Sequence, residues 1–430
     1  TQPPASTPRP HTRPRLAGRL GPRAGFALQT SLLLSFLAAS ATPTPLYAVY
    51  QHAWGFSPIT VTVVFGVYAL AVLGALLVAG ALSDHVGRRP VILAATCTQA
   101  AAAIVFATAD GVGPLLAARV LQGLATGAAA GAVGAGLLDL DHARGTLVNG
   151  AGSFAGIALG AIGSAVCVAY LPHPTRLVYV VLLAVLLTQA AGVLLLTETS
   201  PRIPGARASL RPRVAVPPPV ARALLVTGPC LVATWALSGF YFSLGPALAR
   251  QVAHVDDATA TRAILLGGLA VLTLAGTASA TIVAVRDATP RTVMFLGTTS
   301  LIAGVGATLL ATAGHDTALF YAGTAVAGAG IGAGVQGSLR VLLPLAGPEQ
   351  RAGVLSTVYV LCYLALGVPA VGAGYLTTHD GLTDSSRAYG ATVMALAAVA
   401  LAGLLTRRPE HTPDVSPTPR PADGPLPDAG

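Results

Sequence analysis

The feature that most constrains the fold of this chain is a series of long apolar segments joined by short polar ones. A helix needs about 20 mostly apolar residues to cross the hydrocarbon core of a bilayer. The 430 residues therefore have room for about twelve such helices with short connections. Charged residues make up 10% of the chain, against roughly a quarter of an ordinary soluble domain. The sequence predicts an all-α membrane protein with twelve transmembrane helices.

The predicted spans fall into two groups of six, separated by a polar segment. This segment contains several arginines and the run Pro217–Pro219, which is typical of a stiff extended linker rather than a domain. The two ends of the chain are rich in proline and poor in apolar residues, which predicts disorder. Five parts are predicted: a tail at 1–24, a six-helix half at 25–197, a linker at 198–221, a second six-helix half at 222–406 and a tail at 407–430.

Features of the first half recur in the second. Such pairs indicate two parallel repeats related by an axis along the membrane normal. The matching pairs are Pro43 with Pro246, Val91 with Val293, and Arg144 with Arg351.

Glycines recur at every fourth residue in two spans, where small residues let helices approach closely in lipid. We expect spans 4 and 5 to pack face to face through them. They are Gly123, Gly127 and Gly131 in span 4, and Gly152, Gly156 and Gly160 in span 5.

The arginines are distributed asymmetrically. With the N-terminus placed in the cytoplasm, the inner segments carry 19 of the 25 basic residues, all of which are arginine. The outer loops carry only Arg176, Arg250, Arg262 and Arg387. Cytoplasmic loops are enriched in basic residues, so both termini and the linker are predicted to be cytoplasmic, in a bacterial inner membrane.

The connection between spans 2 and 3 carries the most distinctive motif, Gly80-Ala-Leu-Ser-Asp84-His-Val-Gly87-Arg88-Arg89-Pro90. A glycine lets the backbone turn where a side chain would clash, two arginines reach the lipid headgroups, and a proline starts the next helix. A second interpretation is that any short cytoplasmic loop carries such residues, and for Arg89 alone this is equally plausible.

This motif resembles the signature loop of the major facilitator superfamily, and the chain is similar to its twelve-helix, drug-exporter-like branch. The resemblance implies a conformational latch in which Asp84 and Arg88 join the two halves in one state and separate in the other. It also implies a carboxylate partner at the end of span 4, a role open to Asp139 or Asp141. The latch residues predicted in this way are Gly80, Asp84, Gly87, Arg88, Arg89 and Asp139.

In span 4, Arg119-Val-Leu-Gln122-Gly123 resembles the second motif of the same superfamily. An arginine inside a membrane is costly, so it should face the bundle interior or a water-filled cavity and have a partner. We expect it to contact substrate or take part in coupling. The alternative is a structural arginine that holds helices together by bonding to carbonyl groups.

Three segments depart from the family pattern. The span 5 stretch Gly156–Gly160 lacks the proline of the exporters' Gly-Pro-x-x-Gly-Gly element, and Pro43-Thr44-Pro45 in span 1 resembles their paired prolines at a different spacing. The loop Arg286–Arg291 before span 9 changes the order of acid and base. Any latch in the second half must therefore be weaker or different.

Transporters of this architecture bind substrate near the bilayer midplane between the halves. There, spans 1, 4, 7 and 10 offer a mostly apolar wall with a few hydrogen-bonding groups, which suits an amphipathic organic molecule. Ordinary helix packing is an equally good interpretation for Trp235 or Tyr241 alone, and headgroup contact is favoured for Arg340. The predicted cavity or coupling residues are Ser40, Arg119, Gln122, Thr126, Trp235, Ser238, Tyr241, Gln336 and Arg340.

All 16 acidic residues lie in loops, tails or span ends. A proton-driven exporter of cations usually needs a carboxylate near the midplane, so this protein couples otherwise or is not coupled to protons. The four cysteines lie in apolar runs without metal-site spacing, and the nine histidines are scattered. We therefore expect no metal, no cofactor and no enzymatic activity.

The sequence as a whole predicts a secondary transporter that exports a small drug-like solute by alternating access. The alternative is an uptake permease for a metabolite or organic anion, with Arg119 as its counter-ion, and an embedded enzyme or a channel is disfavoured. Expected partners are the small-molecule substrate, the lipid bilayer and, if transport is coupled, a proton. No nucleic acid is expected, and the protein should act as a monomer.

Overall fold

The structure, a computed structural model, describes residues 20–212, 214, 216–347 and 349–406. Within this part of the chain, twelve helices are long and apolar enough to cross a membrane, and no strand is present. The predicted all-α architecture with twelve spans is therefore confirmed. Most of the two predicted tails lies outside the described residues. In chain order the helices are α1 (Pro22–Trp54), α2 (Pro58–Ala79), α3 (Arg88–Ala107), α4 (Val112–Leu140), α5 (His142–Tyr170), α6 (Pro174–Val193), α7 (Pro218–Ser243), α8 (Thr261–Ala284), α9 (Pro290–Gly314), α10 (Thr317–Leu345), α11 (Arg351–Asp380) and α12 (Leu382–Thr406).

Prolines set the starts of several helices. A proline is tolerated in a first turn because its missing amide hydrogen would have no partner there. Helices α1, α2, α6, α7 and α9 each carry one at the first or second position. For this reason Pro218 and Pro219 form the first turn of α7, whereas an extended linker was predicted to reach residue 221. Similarly, α1 begins at Pro22, slightly before the predicted start at residue 25.

Further prolines interrupt the first helix of each half. Helix α1 breaks at Thr42, immediately before Pro43, and α7 ends at Ser243 before a short helix, Gly245–Val252, that contains Pro246. Proline cannot donate to the carbonyl group four residues earlier in a helix. The carbonyl groups of Ala39 and Phe242 are therefore free to accept hydrogen bonds from elsewhere.

Glycine stripes bring pairs of helices into close contact. Gly127 of α4 faces α2, where an added Cβ would lie 2.7 Å from the Cβ of Ala75. Gly156 of α5 faces α1, where an added Cβ would lie 2.9 Å from the Cβ of Leu37. The prediction that spans 4 and 5 pack on each other through these stripes is therefore wrong. Glycine spacing indicates that another helix packs closely against the stripe. It does not specify which helix that is, because the backbone of any helix can pack against small residues.

The two halves meet along two pairs of helices. We call the side of the bundle that carries the Gly80–Pro90 loop the loop side, and the other the far side. In the α5·α8 pair, Ser279 donates from Oγ to the carbonyl oxygen of Ala151 at 2.8 Å. In the α2·α11 pair, an added Cβ on Gly66 would lie 3.0 Å from Val371. Gly66 lies in the third turn of α2, in the far-side half of that helix, whereas Ser279 and Ala151 lie in the loop-side halves of theirs.

Candidate functional site

The loop Gly80–Pro90 is folded around a glycine with a special backbone conformation. A short helix, Leu82–Val86, is followed by Gly87 at φ +111°, and α3 begins at the next residue. L-residues rarely adopt this φ, so glycine is required here. A Cβ at Gly87 would also collide with the Glu198 carboxylate. The turn therefore brings the linker and the start of α3 together.

Arg88 is the centre of this loop. Its side chain is 10% exposed and pairs with Asp84 and, from Nε at 3.3 Å, with Asp139 Oδ2 at the end of α4. Nη1 also donates to Ser83 Oγ at 2.6 Å. Of the two carboxylates that the sequence left open, Asp139 is the one in contact. Asp141 instead accepts from the backbone N–H of Arg144 and caps the first turns of α5.

Glu198, which sequence reasoning placed only at the end of span 6, is part of the same cluster. Its carboxylate accepts from the backbone N–H groups of Arg88 at 2.8 Å and Arg89 at 3.3 Å, at the N-terminus of α3. The positive end of a helix dipole favours a negative charge at this position. Arg202 lies 3.7 Å from the same carboxylate, which is 7% exposed. An acid between a span and an arginine-rich segment is the signal that identifies it.

The linker continues along the loop. Thr199 donates from Oγ1 to Asp139 at 2.9 Å, and both Ser200 Oγ and the Ile203 N–H donate to the carbonyl oxygen of Asp84 at 3.0 Å. In this state Asp84 and Arg88 thus bond within the first half and near the start of the linker. A latch that joins the two halves in another state stays a prediction.

Arg119 lies inside α4, in the half of that helix nearer the far side, and is completely buried. Nη1 donates to the carbonyl oxygen of Ser40 at 3.0 Å and to Gln122 Oε1 at 2.6 Å. Nη2 donates to the Tyr47 hydroxyl. These acceptors are neutral, and among the described residues Arg119 forms no ion pair. The guanidinium group is therefore surrounded by neutral dipoles rather than by an opposing charge.

The break in α1 supplies part of this arrangement. Gln122 donates from Nε2 to the carbonyl oxygen of Ala39 at 2.9 Å, which is the group that Pro43 leaves free. The Arg119–Gln122 motif of α4 thus bonds to the broken turn of α1. The helix-pinning geometry that the sequence left open as an alternative is present.

Aromatic faces surround the guanidinium group. Its central carbon lies 5.7 Å from the ring centroid of Tyr47, 5.2 Å from Tyr68 and 5.8 Å from Phe106. Cations within about 6 Å of a ring face are attracted by its quadrupole. None of these rings was predicted. Tyr68 and Phe106 lie in spans 2 and 3, which were not considered as walls of the cavity, and Tyr47 lies in span 1 but was not singled out. The signal for Tyr68 was its helical spacing from Phe65, also in α2.

The aromatic surface continues into the second half. Tyr363 of α11 packs against the cluster that contains Tyr68, and its ring centroid lies 5.1 Å from that of Trp235 in α7. Phe65 of α2 and Phe242 of α7 are 6.5 Å apart between centroids. Arg119 thus lies behind this interface, with Tyr68 and Tyr363 between it and the predicted residue Trp235 of the other half.

Three polar atoms at this interface are buried and lack a hydrogen-bond partner. Most buried polar groups in proteins are paired, so such atoms indicate a place for water or a ligand. Thr126 and Ser40 are also neighbours of the Tyr68 phenol. The unpartnered atoms are Arg119 Nε, Thr126 Oγ1 and Trp235 Nε1.

Two other predicted residues bond inside the second half. Ser238 donates from Oγ to the carbonyl oxygen of Thr234, in its own helix, at 2.8 Å. The Tyr241 hydroxyl lies 2.9 Å from Thr324 Oγ1 of α10. Tyr241 also lines a crevice between α7, α9 and α12. Their proposed contact with substrate stays a prediction.

The predicted residues of α10 lie nearer the loop side. Gln336 faces Gly150 of α5, where an added Cβ would be 3.7 Å from Gln336 Oε1. Arg340 donates to three carbonyl oxygens after the end of α8, at 2.7 Å to Arg286, 3.0 Å to Ala288 and 3.3 Å to Val285. This arginine closes a helix end, and the structure does not bring it together with Arg119 in one hydrogen-bonded cluster.

Two six-helix bundles that meet around a buried polar interface define a class of protein, the membrane transporters built from parallel repeats. The family model of the Major Facilitator Superfamily matches residues 30–370, and the chain belongs to this superfamily. Family membership indicates a multi-pass membrane transporter rather than an enzyme. Comparison with curated protein sequences finds no match.

Several solved structures share the fold. The human organic anion transporter MFSD10 (TETRAN) has a TM-score of 0.63 at 19% identity, covering 89% of this chain and 100% of that one. A point mutant of the nucleoside transporter NupG has a TM-score of 0.69 at 11% identity, covering 88% and 99%. A bacterial homologue of the human lysosomal transporter Spinster, in an inward-facing and occupied conformation, has a TM-score of 0.67 at 14% identity, covering 89% and 96%. At these identities the likeness shows the fold alone.

Proposed function

We propose that this protein is a secondary transporter that exports a small amphipathic organic solute, neutral or anionic, by alternating access. The observation that carries the proposal is the environment of Arg119. The residue is fully buried beside the interface between the halves, surrounded by rings and neutral acceptors, and without a carboxylate partner among the described residues.

The charge of this interface selects against cations. In the described part of the chain, each Asp and Glu lies in a loop or near a helix end, so nothing near Arg119 offsets its charge. Two unit charges 4 Å apart interact by about 4 kcal/mol at an effective dielectric constant of 20. A dication is repelled about twice as strongly as a monocation, whereas a neutral or anionic ligand avoids this cost.

The wall of the interface suits an aromatic or otherwise flat ligand. Tyr68, Tyr363 and Trp235 form an aromatic wall, and Trp235 Nε1 and Thr126 Oγ1 are hydrogen-bonding atoms without partners. A few placed polar groups on an apolar wall are typical of small-molecule sites. A ligand that combines a ring with an acceptor oxygen fits both features.

The alternative is an uptake permease for an organic anion. The unpartnered Nε of Arg119 supports it, because this donor remains available to a carboxylate or sulfonate. The other guanidinium nitrogens are already bonded to α1 and Gln122, which favours a pinning role and a less charged solute. One of the structures with this fold is an organic anion transporter, but that likeness supports the fold only.

We also propose that the loop side faces the cytoplasm of a bacterial cell. The support is the excess of arginine at that side, together with the loop cluster of Arg88 and Glu198. Cysteines placed at the exposed residues Arg207 and Asp384 test the orientation, after the native cysteines are replaced. A reagent that cannot cross membranes should label position 384 and not 207 in intact cells. Labelling of 207 alone would reverse the topology.

Binding and transport are measured in proteoliposomes, with Trp235 as the reporter of ligand. The chain has two tryptophans, so Trp54→Phe leaves Trp235 alone. A neutral aromatic solute and its anionic analogue should quench this fluorescence, and a dicationic analogue should not. Trp235→Phe, which retains Trp54, is the control and should show no quenching. Tight dication binding would contradict the proposal.

Transport of the bound solute is then followed with proton gradients of either sign. Arg119→Gln should abolish binding of the anion and spare the neutral solute if Arg119 contacts the ligand. Arg119→Lys keeps the charge but loses the planar fork, so affinity should fall without vanishing. If Arg119 only pins α1 to α4, both variants should lower the yield of folded protein and leave the ranking of solutes unchanged.

A further inference from the structure

The two carbonyl groups freed by proline are satisfied in different ways. In the first half, the Ala39 carbonyl accepts from Gln122 of the same half. In the second half, the Phe242 carbonyl, four residues before Pro246, accepts from Thr44 Oγ1 at 3.0 Å, and Thr44 belongs to the first half. A freed carbonyl of one repeat is therefore bonded across the interface by the broken helix of the other.

The surroundings of Thr44 direct its hydroxyl across the interface. Threonine hydroxyls in helices commonly bond to the carbonyl group one turn earlier. For Thr44 that group is the Ser40 carbonyl, one lone pair of which accepts from the charged Arg119 at 3.0 Å, which leaves it a weaker acceptor for a second donor. Thr44 is 2% exposed, so water does not compete for it. Its hydroxyl donates instead to Phe242.

The bond lies on the far side, at a place where the two halves are in contact. Thr44 follows the break in α1, on the far side of the bundle, and Phe242 lies in the last turn of α7. Phe242 also contacts Phe65 of α2, with ring centroids 6.5 Å apart. The close α2·α11 contact at Gly66 lies on the same side. Opening the far side must separate Thr44 from Phe242 and leave a freed carbonyl without this donor.

We infer that Thr44 is a positioning residue for the transport cycle, whose hydroxyl holds the far side closed by bonding to the Phe242 carbonyl. The inference rests on the proposed alternating access. Because Ser40 joins Arg119 to the turn that carries Thr44, a ligand that draws Arg119 away makes the Ser40 carbonyl a stronger competing acceptor for the Thr44 hydroxyl. Binding at the interface and opening of the far side are thereby linked through one helical turn.

The test compares three variants. Thr44→Val keeps the shape and removes the hydroxyl, and Thr44→Ser restores it. Ser164→Ala is the matched control, because Ser164 Oγ donates to the Thr42 carbonyl at 2.7 Å in the same broken turn but inside the first half. Loss of one buried hydrogen bond should raise the far-side-open population roughly tenfold in Thr44→Val only. Thr44→Ser should return it to the wild-type value.

Distances between spin labels report the populations without any transport assay. One pair, Leu171→Cys with Ala313→Cys, spans the far side, and a second pair, Arg144→Cys with Arg286→Cys, spans the loop side, in a background without native cysteines. All four positions are exposed. For Thr44→Val we expect a longer far-side distance together with a shorter loop-side distance.

The two label pairs separate the role of the Thr44 hydroxyl from the proposed alternating access. A longer far-side distance with an unchanged loop-side distance supports the role of the Thr44 hydroxyl but contradicts alternating access. Distances in Thr44→Val equal to the wild type, in protein that elutes as a single folded species, would overturn the inference. The same shift in Ser164→Ala would also overturn it, because the effect would then come from the broken turn and not from the bond between halves.

Discussion

Two loops occupy equivalent positions in the two repeats, one between α2 and α3 and the other between α8 and α9. They differ in the groups that an arginine contacts there. In the first loop, Arg88 pairs with the carboxylates of Asp84 and Asp139. In the second, Arg340 donates to three backbone carbonyl oxygens beyond the end of α8. One arginine is held by charges and the other by dipoles.

This difference indicates which loop is able to change its contacts. Carboxylates can be screened, exchanged for other partners or separated as the helices move, whereas carbonyls at a helix end stay with their helix. The first loop also binds the linker through Glu198, which joins the two halves along the chain. We therefore expect switching to be confined to the first repeat, and the second to serve as a fixed support.

The largest expected effect comes from Gly87→Ala, which disturbs the first loop alone. Both the φ of +111° and the nearby Glu198 carboxylate exclude a Cβ, so we expect a loss of more than about 2 kcal/mol in stability. Gly381→Ala is the matched control, since Gly381 has φ +87° and an added Cβ there would have no atom within 4 Å. Its cost should be backbone strain only, about 1 kcal/mol. Equal melting temperatures for the two variants would contradict the packing argument.

Arg340→Ala should have the next largest effect, about 1–2 kcal/mol, because three carbonyl oxygens lose a charged donor. Thermal unfolding in detergent at low and high salt measures it. The loss should be nearly the same at both, since no opposing charge is involved. A strongly salt-dependent loss would remove the distinction between the two loops.

Arg88→Ala should destabilise by on the order of 1 kcal/mol, since Asp84 and Asp139 are both partly exposed and the pairs are partly screened. The loss should shrink at high salt. The variant should also change the transport rate with little effect on expression, because the cluster biases one conformation over another. Wild-type transport in both Arg88→Ala and Asp84→Asn would leave the latch hypothesis without support.

Glu198→Gln keeps the size of the cap on α3 and removes its charge. We expect a few tenths to about 1 kcal/mol of stability to be lost, with faster release of the linker from the loop. Limited trypsin digestion measures this release at Arg202 and Arg207, which are exposed. Cleavage should be several-fold faster than in the wild type. Unchanged cleavage would show that the linker is held without Glu198.

Much of the fold was predictable because it depends on properties of single segments of the chain. Span length, apolar composition and the first-turn prolines follow from the properties of single segments, and so does the need for a buried partner for Arg119. Helix pairing was not predictable. The stripe Gly123–Gly131 indicates a close neighbour but not that the neighbour is α2, since any helix can offer the complementary surface.

The site was predictable only in part for a similar reason. Arg119 and Gln122 were identified from one motif, but their acceptors on Ser40 and Ala39 are backbone groups that any residue type carries. The only sequence feature that indicates a free carbonyl group here is Pro43, which lies four residues after Ala39 and has no N–H to donate to it. Glu198 was missed because its one signal, the position of an acid between a span and an arginine-rich segment, does not reveal that its partners are backbone N–H groups of α3.

The smallest expected effect is that of Asp287→Asn in the second loop. Its pair with Arg286 has an N–O distance of 3.1 Å, but the two side chains are 59% and 87% exposed. Exposed ion pairs contribute little because water and salt screen them, so the change should be within roughly 0.5 kcal/mol and transport should be unaffected. Asp139→Asn, in the first loop, is the matched comparison and should cost more because its partner Arg88 is nearly buried. If Asp287→Asn slows transport as much as Asp139→Asn does, the second loop also switches, and the assignment of switching to the first repeat is wrong.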